Sequence, residues 1–242
     1  MLAIYKKEIA GFLSSFTAYI IIGVFLLVMG LFMWVFPDTN ALDYGYATLD
    51  GLFDMAPWVF MFLVPAVTMR SFSEEKKQGT IELLATRPLS DIQIILGKYF
   101  ANLTLVLFAL IPTLVYYFSI YQLGLEPGNI DSGGVLGSYI GLFLLGAAFV
   151  AIGIFSSSIT ENQIVAFTLA VFISFFCFMG FEYISSLTLL GSVDYLIQWL
   201  GINAHYESIS RGVLDTRDVI YFVGLVSLFL AFTRTVLGSR KW

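Results

Sequence analysis

The charged residues of this chain are so far apart that the gaps between them decide its fold. Residues 9–37, 99–125, 132–160 and 162–181 contain no Asp, Glu, Lys or Arg. A helix needs about 20 apolar residues to cross a hydrocarbon core of about 30 Å, and each of these gaps is long enough. Two shorter gaps, 55–69 and 219–233, rise only about 22 Å as helices. Arg70 and Arg234 beside them can snorkel to the interface, and Leu52, Phe53 and Val236 extend the apolar length. The spacing predicts an all-α, polytopic membrane protein. Its six transmembrane helices are expected near 16–36, 53–70, 97–122, 135–158, 163–184 and 218–238.

Composition narrows the alternatives. Of 242 residues, 59% are hydrophobic and 12% charged, against roughly 25% charged in soluble domains. A self-sufficient soluble enzyme is excluded, and so is a disordered chain, which needs low hydrophobicity and high net charge. Six spans leave no room for a separate soluble domain, so residues 1–242 read as a single transmembrane domain. Single Cys and His residues, Cys177 and His205, exclude a disulfide framework, a multi-cysteine metal site and a bis-histidine haem.

The flanks of the spans carry their own signals. Before the first span, Leu2, Ile4, Tyr5, Ile9, Phe12 and Leu13 fall largely on one helical face around Lys6, Lys7 and Glu8. That pattern suits an N-terminal helix lying in the membrane interface; a plain extension of the first span fits it equally. The apolar stretch is too long for the core of a cleavable signal peptide. Residues 185–217 are apolar but broken by Gly191, Asp194, Gly201, Glu207 and Arg211. They read as an outer interfacial segment, with a helix over Asp194–Leu200, rather than a seventh span.

Six spans put both termini on one side. Lys6, Lys7, Arg70, Lys76, Lys77, Arg87, Lys98, Arg234, Arg240 and Lys241 then share that side, and Arg211 and Arg217 take the other. The positive-inside rule makes the first side cytoplasmic. The net charge of −5 resolves into a positive inner face and a strongly negative outer one. Asp38, Asp43, Asp50 and Asp54 show the outer excess best. They read as solvated loop acids before they read as a cation site.

Among the inner loops, 71–93 alone has a pattern. Gly79 turns the chain after a charged run, Thr80 caps a new helix, and Glu82 lies in its first turn, where the helix dipole favours an acid. Ile81, Leu83 and Leu84 give that helix an apolar side, and Pro88 ends it. Ser90 and Gln93 form a capping-box pair with Leu89 and Ile94 as a staple, starting the third span. The result is a short cytoplasmic helix held between two breaks, more than a connector needs.

The run Met69-Arg70-Ser71-Phe72, then Glu75, Gly79-Thr80-Ile81-Glu82-Leu83-Leu84 and Pro88 resembles the coupling-helix region of type-2 ABC exporter permeases. Tyr5-Lys6-Lys7-Glu8 with Phe12 is similar to the family's N-terminal interfacial segment. Ala204 to Asp215 is similar to the outer segment before its last span. More narrowly, the chain resembles the permeases of gliding-motility-associated ABC transporters. The likeness implies a non-catalytic permease subunit in the bacterial cytoplasmic membrane that moves substrate outward. It implies a second permease chain, identical or different, and a separate cytoplasmic ATPase subunit that uses ATP and Mg. It assigns contact with that ATPase to Glu75, Gln78, Gly79, Thr80, Glu82 and Leu83. No cofactor is expected in this chain, because its lone Gly97-Lys98 pair lacks the glycine and Ser/Thr of a phosphate loop. Membrane lipid is an expected partner and nucleic acid is not.

Other residues carry weaker signals. His205 with Glu207 reads as a metal ligand less readily than as a structural histidine. Glu182 reads equally as a pathway acid or an interfacial one. Cys177 reads as a small apolar side chain. Gly141, Gly146 and Gly153 with Ala147, Ala148 and Ala151 form small faces for helix packing, within the subunit or across a dimer. A stand-alone secondary transporter or channel is the alternative function; it would need ionisable groups inside the spans or internal repeats. A membrane enzyme would need clustered acids at one interface, and the outer acids are scattered.

Overall fold

The computed structural model describes residues 1–37, 39–43, 45–80, 89–124, 126, 128–187, 191 and 194–239. All regular structure among them is helical. Helix α1 covers Leu2–Leu13, and α2, the first span, covers Phe16–Trp34. The second span is α3, Asp50–Thr68, followed after a bend by α4, Arg70–Lys77. The third is α5, Asp91–Leu110, continued through a 3-10 turn at Ile111–Thr113 into α6, Leu114–Leu123. The fourth is α7, Ser132–Ile159. The fifth is α8, Gln163–Phe175, then a π turn at Phe176–Gly180 and α9, Phe181–Ser186. Two short helices, α10 (Asp194–Trp199) and α11 (Ile202–Ser210), precede the sixth span, α12, Thr216–Gly238. Six of these helical runs are long and apolar enough to cross a membrane.

Local chemistry explains where the spans begin. Ser15, Ser90, Asp131, Asn162 and Asp215 each accept a backbone N–H from the first turn of the helix they precede, as N-cap residues do. The expected capping box is present: Ser90 Oγ accepts from Gln93 N–H at 3.4 Å, and Gln93 Oε1 accepts from Ser90 N–H at 3.2 Å. The interruption of the third span follows from Pro112, which has no N–H to give; Thr113 Oγ1 donates to the Leu110 carbonyl at 2.6 Å. The π turn in the fifth span was not legible. It sets Phe178 in the core against Trp58, Phe149 and Tyr206.

Helix α7 is the centre of the bundle. It packs on α3, α5, α8, α11 and α12, and its small residues allow this. A Cβ on Gly141 would come within 2.3 Å of Ile209 Cγ2, and one on Gly153 within 2.0 Å of Thr68 Oγ1. The small faces therefore serve packing within the subunit. Helices α2 and α12 bury few of their residues inside the bundle and leave the rest half-buried or exposed, where lipid tails are as apolar as they are.

At the end of the bundle away from both termini, α11 seals the helices. Tyr206 OH donates to the Phe53 carbonyl at 2.8 Å, and burial pushes the Tyr206 phenol pKa up. Ser138 Oγ lies 2.7 Å from the Ser210 carbonyl. The expected cytoplasmic helix between Thr80 and Pro88, with Ile81, Glu82, Leu83 and Leu84, lies outside the described residues, as do Asp38, Arg87, Arg240 and Lys241.

Candidate functional site

The site is the junction of α1, α4, α5 and α7 at the end of the bundle that holds the N-terminus. It begins with the bend at Met69. Inserted from α7, Ser157 Oγ accepts from Phe72 N–H at 2.9 Å and from Ser73 N–H at 3.1 Å, and donates to the Met69 carbonyl at 3.0 Å. A side chain standing in the backbone ladder is a sufficient cause for a helix bend. Ser73 Oγ also donates to the Met69 carbonyl, and Lys76 Nζ donates to the Ser158 carbonyl. Helix α4 is thus bolted to the end of α7 at three points.

The other wall of α4 carries charge. Lys98 of α5 is 1% exposed. Its ammonium lies 2.7 Å from Glu8 Oε1 and 3.0 Å from Glu75 Oε2, with the Phe72 ring centroid at 5.2 Å. Lys7 closes the cluster on Glu75 Oε1 at 3.1 Å. Burial pulls the Lys7 ammonium pKa down, but the Glu75 hydrogen bond and the charges of Glu75, Glu8 and Glu74 outweigh it. Its pKa is held above the ordinary 10.5. Asn102 Nδ2 adds bonds to Ser71 Oγ at 3.0 Å and to the Lys98 carbonyl at 2.8 Å. Tyr5 OH meets Thr104 Oγ1 at 3.0 Å, so α1 is fastened along α5 as well.

Helix α4 ends in a Schellman turn. Gly79 has φ +67°, its N–H reaches the Lys76 carbonyl at 3.1 Å, and Thr80 N–H reaches the Glu75 carbonyl at 3.0 Å. Gln78 and Gly79 are exposed there and Thr80 is half-buried. Of the residues the sequence singles out, Gln78, Gly79 and Thr80 therefore sit together on one turn. Glu75 stands behind them: it is 8% exposed, and its carboxylate is taken up by Lys98 and Lys7. The Thr80 hydroxyl points back to the Glu75 carbonyl at 3.4 Å.

Sequence reasoning passed over two residues of this junction. From the sequence Lys98 reads as a flanking positive charge, yet it lies two turns inside a span, where a lysine needs a partner. Ser157 is the middle of three buried serines, Ser156 to Ser158, in an otherwise apolar span; that run was the available signal. At the other end of the bundle the candidates resolve differently. His205 pairs with Asp218, not Glu207: Nδ1 lies 2.7 Å from Asp218 Oδ1 and Nε2 2.9 Å from the Trp199 carbonyl. Its ring stacks on Tyr221 with centroids 3.8 Å apart. With both nitrogens engaged and the ring 3% exposed, His205 is a structural staple. Glu207 instead pairs with Arg211 on the surface. Glu182 Oε2 accepts from Asn203 Nδ2 at 2.8 Å, which ties α9 to α11. Among the described residues no group of three or more His, Cys, Asp or Glu could hold a metal ion.

No curated protein matches the chain. A family profile described as ABC-2 family transporter protein matches residues 38–206, which run from the loop after the first span through most of α11. That is well over half of the sequence, and this multi-pass membrane protein belongs to the ABC-2 transporter family, as a permease component.

Proposed function

We propose that the chain is one of two permease subunits of an ATP-driven exporter in a bacterial cytoplasmic membrane, with both termini on the cytoplasmic side, and that it serves gliding motility. ATP and Mg are used by a separate ATPase subunit, which engages the exposed turn of Gln78, Gly79 and Thr80 together with Glu82 and Leu83. Glu75 acts behind that contact as a relay.

The observation that carries this reading is the buried Glu8–Lys98–Glu75 bridge. Helix α4 leads directly to the exposed turn, and its charged face joins α1 and α5 while its serine face joins α7. A displacement of the turn is passed to three helices at once, because packed elements transmit strain rather than absorb it. An ion-coupled carrier would place its ionisable groups in mid-span. Among the described residues the buried charged side chains Glu75, Lys98 and Asp218 all lie within about two turns of a helix end. That placement supports a permease driven from outside the membrane.

The test is co-purification of the full chain with its ATPase. Gly79→Pro and Glu82→Lys are each expected to lose the complex, since proline cannot adopt φ +67° and the lysine reverses the charge of the expected contact helix. Retained binding and retained ATP-dependent activity in both variants would overturn the assignment. For the biological role, deletion of the chain in a gliding bacterium is expected to stop gliding, and unchanged gliding would overturn that part alone.

A further inference from the structure

Against the charged junction lies a cavity of about 460 Å³ whose mouth the bridge residues help to line. Its volume falls within the roughly 300–1,000 Å³ of small-molecule sites. Its polarity is graded along the bundle axis. Ile21 and Ile22 of α2, Ala66 and Val67 of α3 and Leu105 of α5 form the deep walls, while α1 and α4 supply a charged mouth. At that mouth Lys7, Glu8, Glu75 and Lys98 neutralise one another. Two charges remain, Arg70 and Glu74, which are i,i+4 neighbours on α4. Among the described residues, Arg70 Nε is buried with no hydrogen-bond partner, and Arg70 takes part in none of the ion pairs. Among the hydrogen bonds of the described side chains Glu74 meets only a distant amide, Gln78 Nε2 at 3.4 Å, and its charge acts on Lys7 without an ion pair to it.

An unpartnered buried guanidinium nitrogen is costly, and a cleft that passes from charged to apolar along the membrane normal suits a ligand graded in the same way. We propose that this cavity holds a phospholipid with a zwitterionic head. Its phosphate sits on Arg70, its ammonium on Glu74, and one acyl chain runs down between α2, α3 and α5. The geometry agrees at both ends: i,i+4 side chains stand about 5–6 Å apart at Cβ, a spacing that a phosphate and its ethanolamine nitrogen can bridge. Helix α1, amphipathic and packed on α5 over the mouth, places the site at headgroup depth. Arg70 offers the planar, always-charged donor set that suits phosphate oxygens. This site is additional to the permease role and stands or falls independently of it.

The test uses the full chain in a maltoside detergent, which carries no phosphate. Three photoreactive lipids with the same acyl chains are compared: phosphatidylethanolamine, phosphatidylglycerol and diacylglycerol. Cross-links are mapped by mass spectrometry. Phosphatidylethanolamine is expected to label the peptides around 17–22 and 66–67 about tenfold more than diacylglycerol, a ratio equal to about 1.4 kcal/mol. Arg70→Gln is expected to bring it down to the diacylglycerol level, and Glu74→Gln to the phosphatidylglycerol level. Ala66→Phe, which fills the apolar part, should reduce all three, and excess inorganic phosphate should not compete. Labelling by diacylglycerol equal to that by phosphatidylethanolamine, or no effect of Arg70→Gln, would overturn the proposal. Equal labelling by the two phospholipids would overturn the head-group assignment. Competition by inorganic phosphate would make the site one for free anions, and labelling confined to other peptides would mean that protein closes the cavity.

Discussion

Lys98 is the most deeply buried charged side chain of the described junction. Its ammonium is 1% exposed and touches two carboxylates that are themselves mostly shielded. Desolvating three charges is expensive, and the mutual attraction repays it only while all three are present. Lys98→Met is therefore expected to destabilise the chain by about 3–5 kcal/mol, because Glu8 and Glu75 would be left buried against one another. Adding Glu8→Gln and Glu75→Gln should restore most of that loss by removing the stranded charge. Thermal unfolding of the three forms in one detergent checks this; a triple variant no more stable than Lys98→Met would mean that the packing of the lysine stem, not its charge, holds the site. The exposed Glu207–Arg211 pair is a useful contrast. Its side chains are 60% and 72% exposed, and Arg211→Ala is expected to move stability by no more than about 0.5 kcal/mol.

At the scale of elements, the bend between α3 and α4 belongs to α7 as much as to the second span. Ser157 Oγ satisfies two N–H groups and one carbonyl that a continuous helix would pair internally. Ser157→Ala leaves those groups buried without their partner, at about 1–3 kcal/mol for an unsatisfied group, unless α4 swings into line with α3 and recovers its own ladder. The expected outcome is a straightened helix that withdraws Lys76 from the Ser158 carbonyl and loosens α4. Hydrogen exchange at Phe72 and Ser73 should rise in the variant, and unchanged protection would show that the bend is set by Pro65 instead. This bend also marks the boundary of what the sequence could say. The spans were legible because an uncharged stretch of sufficient length has one physical solution in a membrane. The start of α5 was legible because Ser90 and Gln93 form their box locally. The bend was not, since its cause lies 85 residues away in Ser157, and neither was the Lys98 bridge, which joins residues from three separate helices. For the same reason Gly79 was legible as a turn, while Glu75, four residues earlier, could not be told from a surface acid.

For the whole molecule, the separation between touching a partner and transmitting its motion is what the permease reading must explain. The exposed turn and the buried bridge are adjacent but distinct: Gln78 and Gly79 face outward, while Glu8, Glu75 and Lys98 face inward. Changes at the two places should therefore fail differently. Gly79→Pro removes the Schellman turn and is expected to abolish ATPase binding, with a cost in stability confined to the strained end of α4, because no described residue packs within 4 Å of that glycine's Cβ position. The Lys98→Met, Glu8→Gln, Glu75→Gln triple leaves the turn intact, so the ATPase should still co-purify. What it removes is the charged link from α4 to α1 and α5, leaving the serine bolts to α7 and the Asn102–Ser71 bond to α5 as the routes for any displacement. ATP hydrolysis in the reconstituted complex is expected to lose its dependence on the permease in the triple variant, with binding retained. A triple variant that binds and stimulates like the wild type would show that the remaining contacts of α4, to α7 and to Asn102, suffice. The charged bridge would then be an anchor for α1 and not a transmission element.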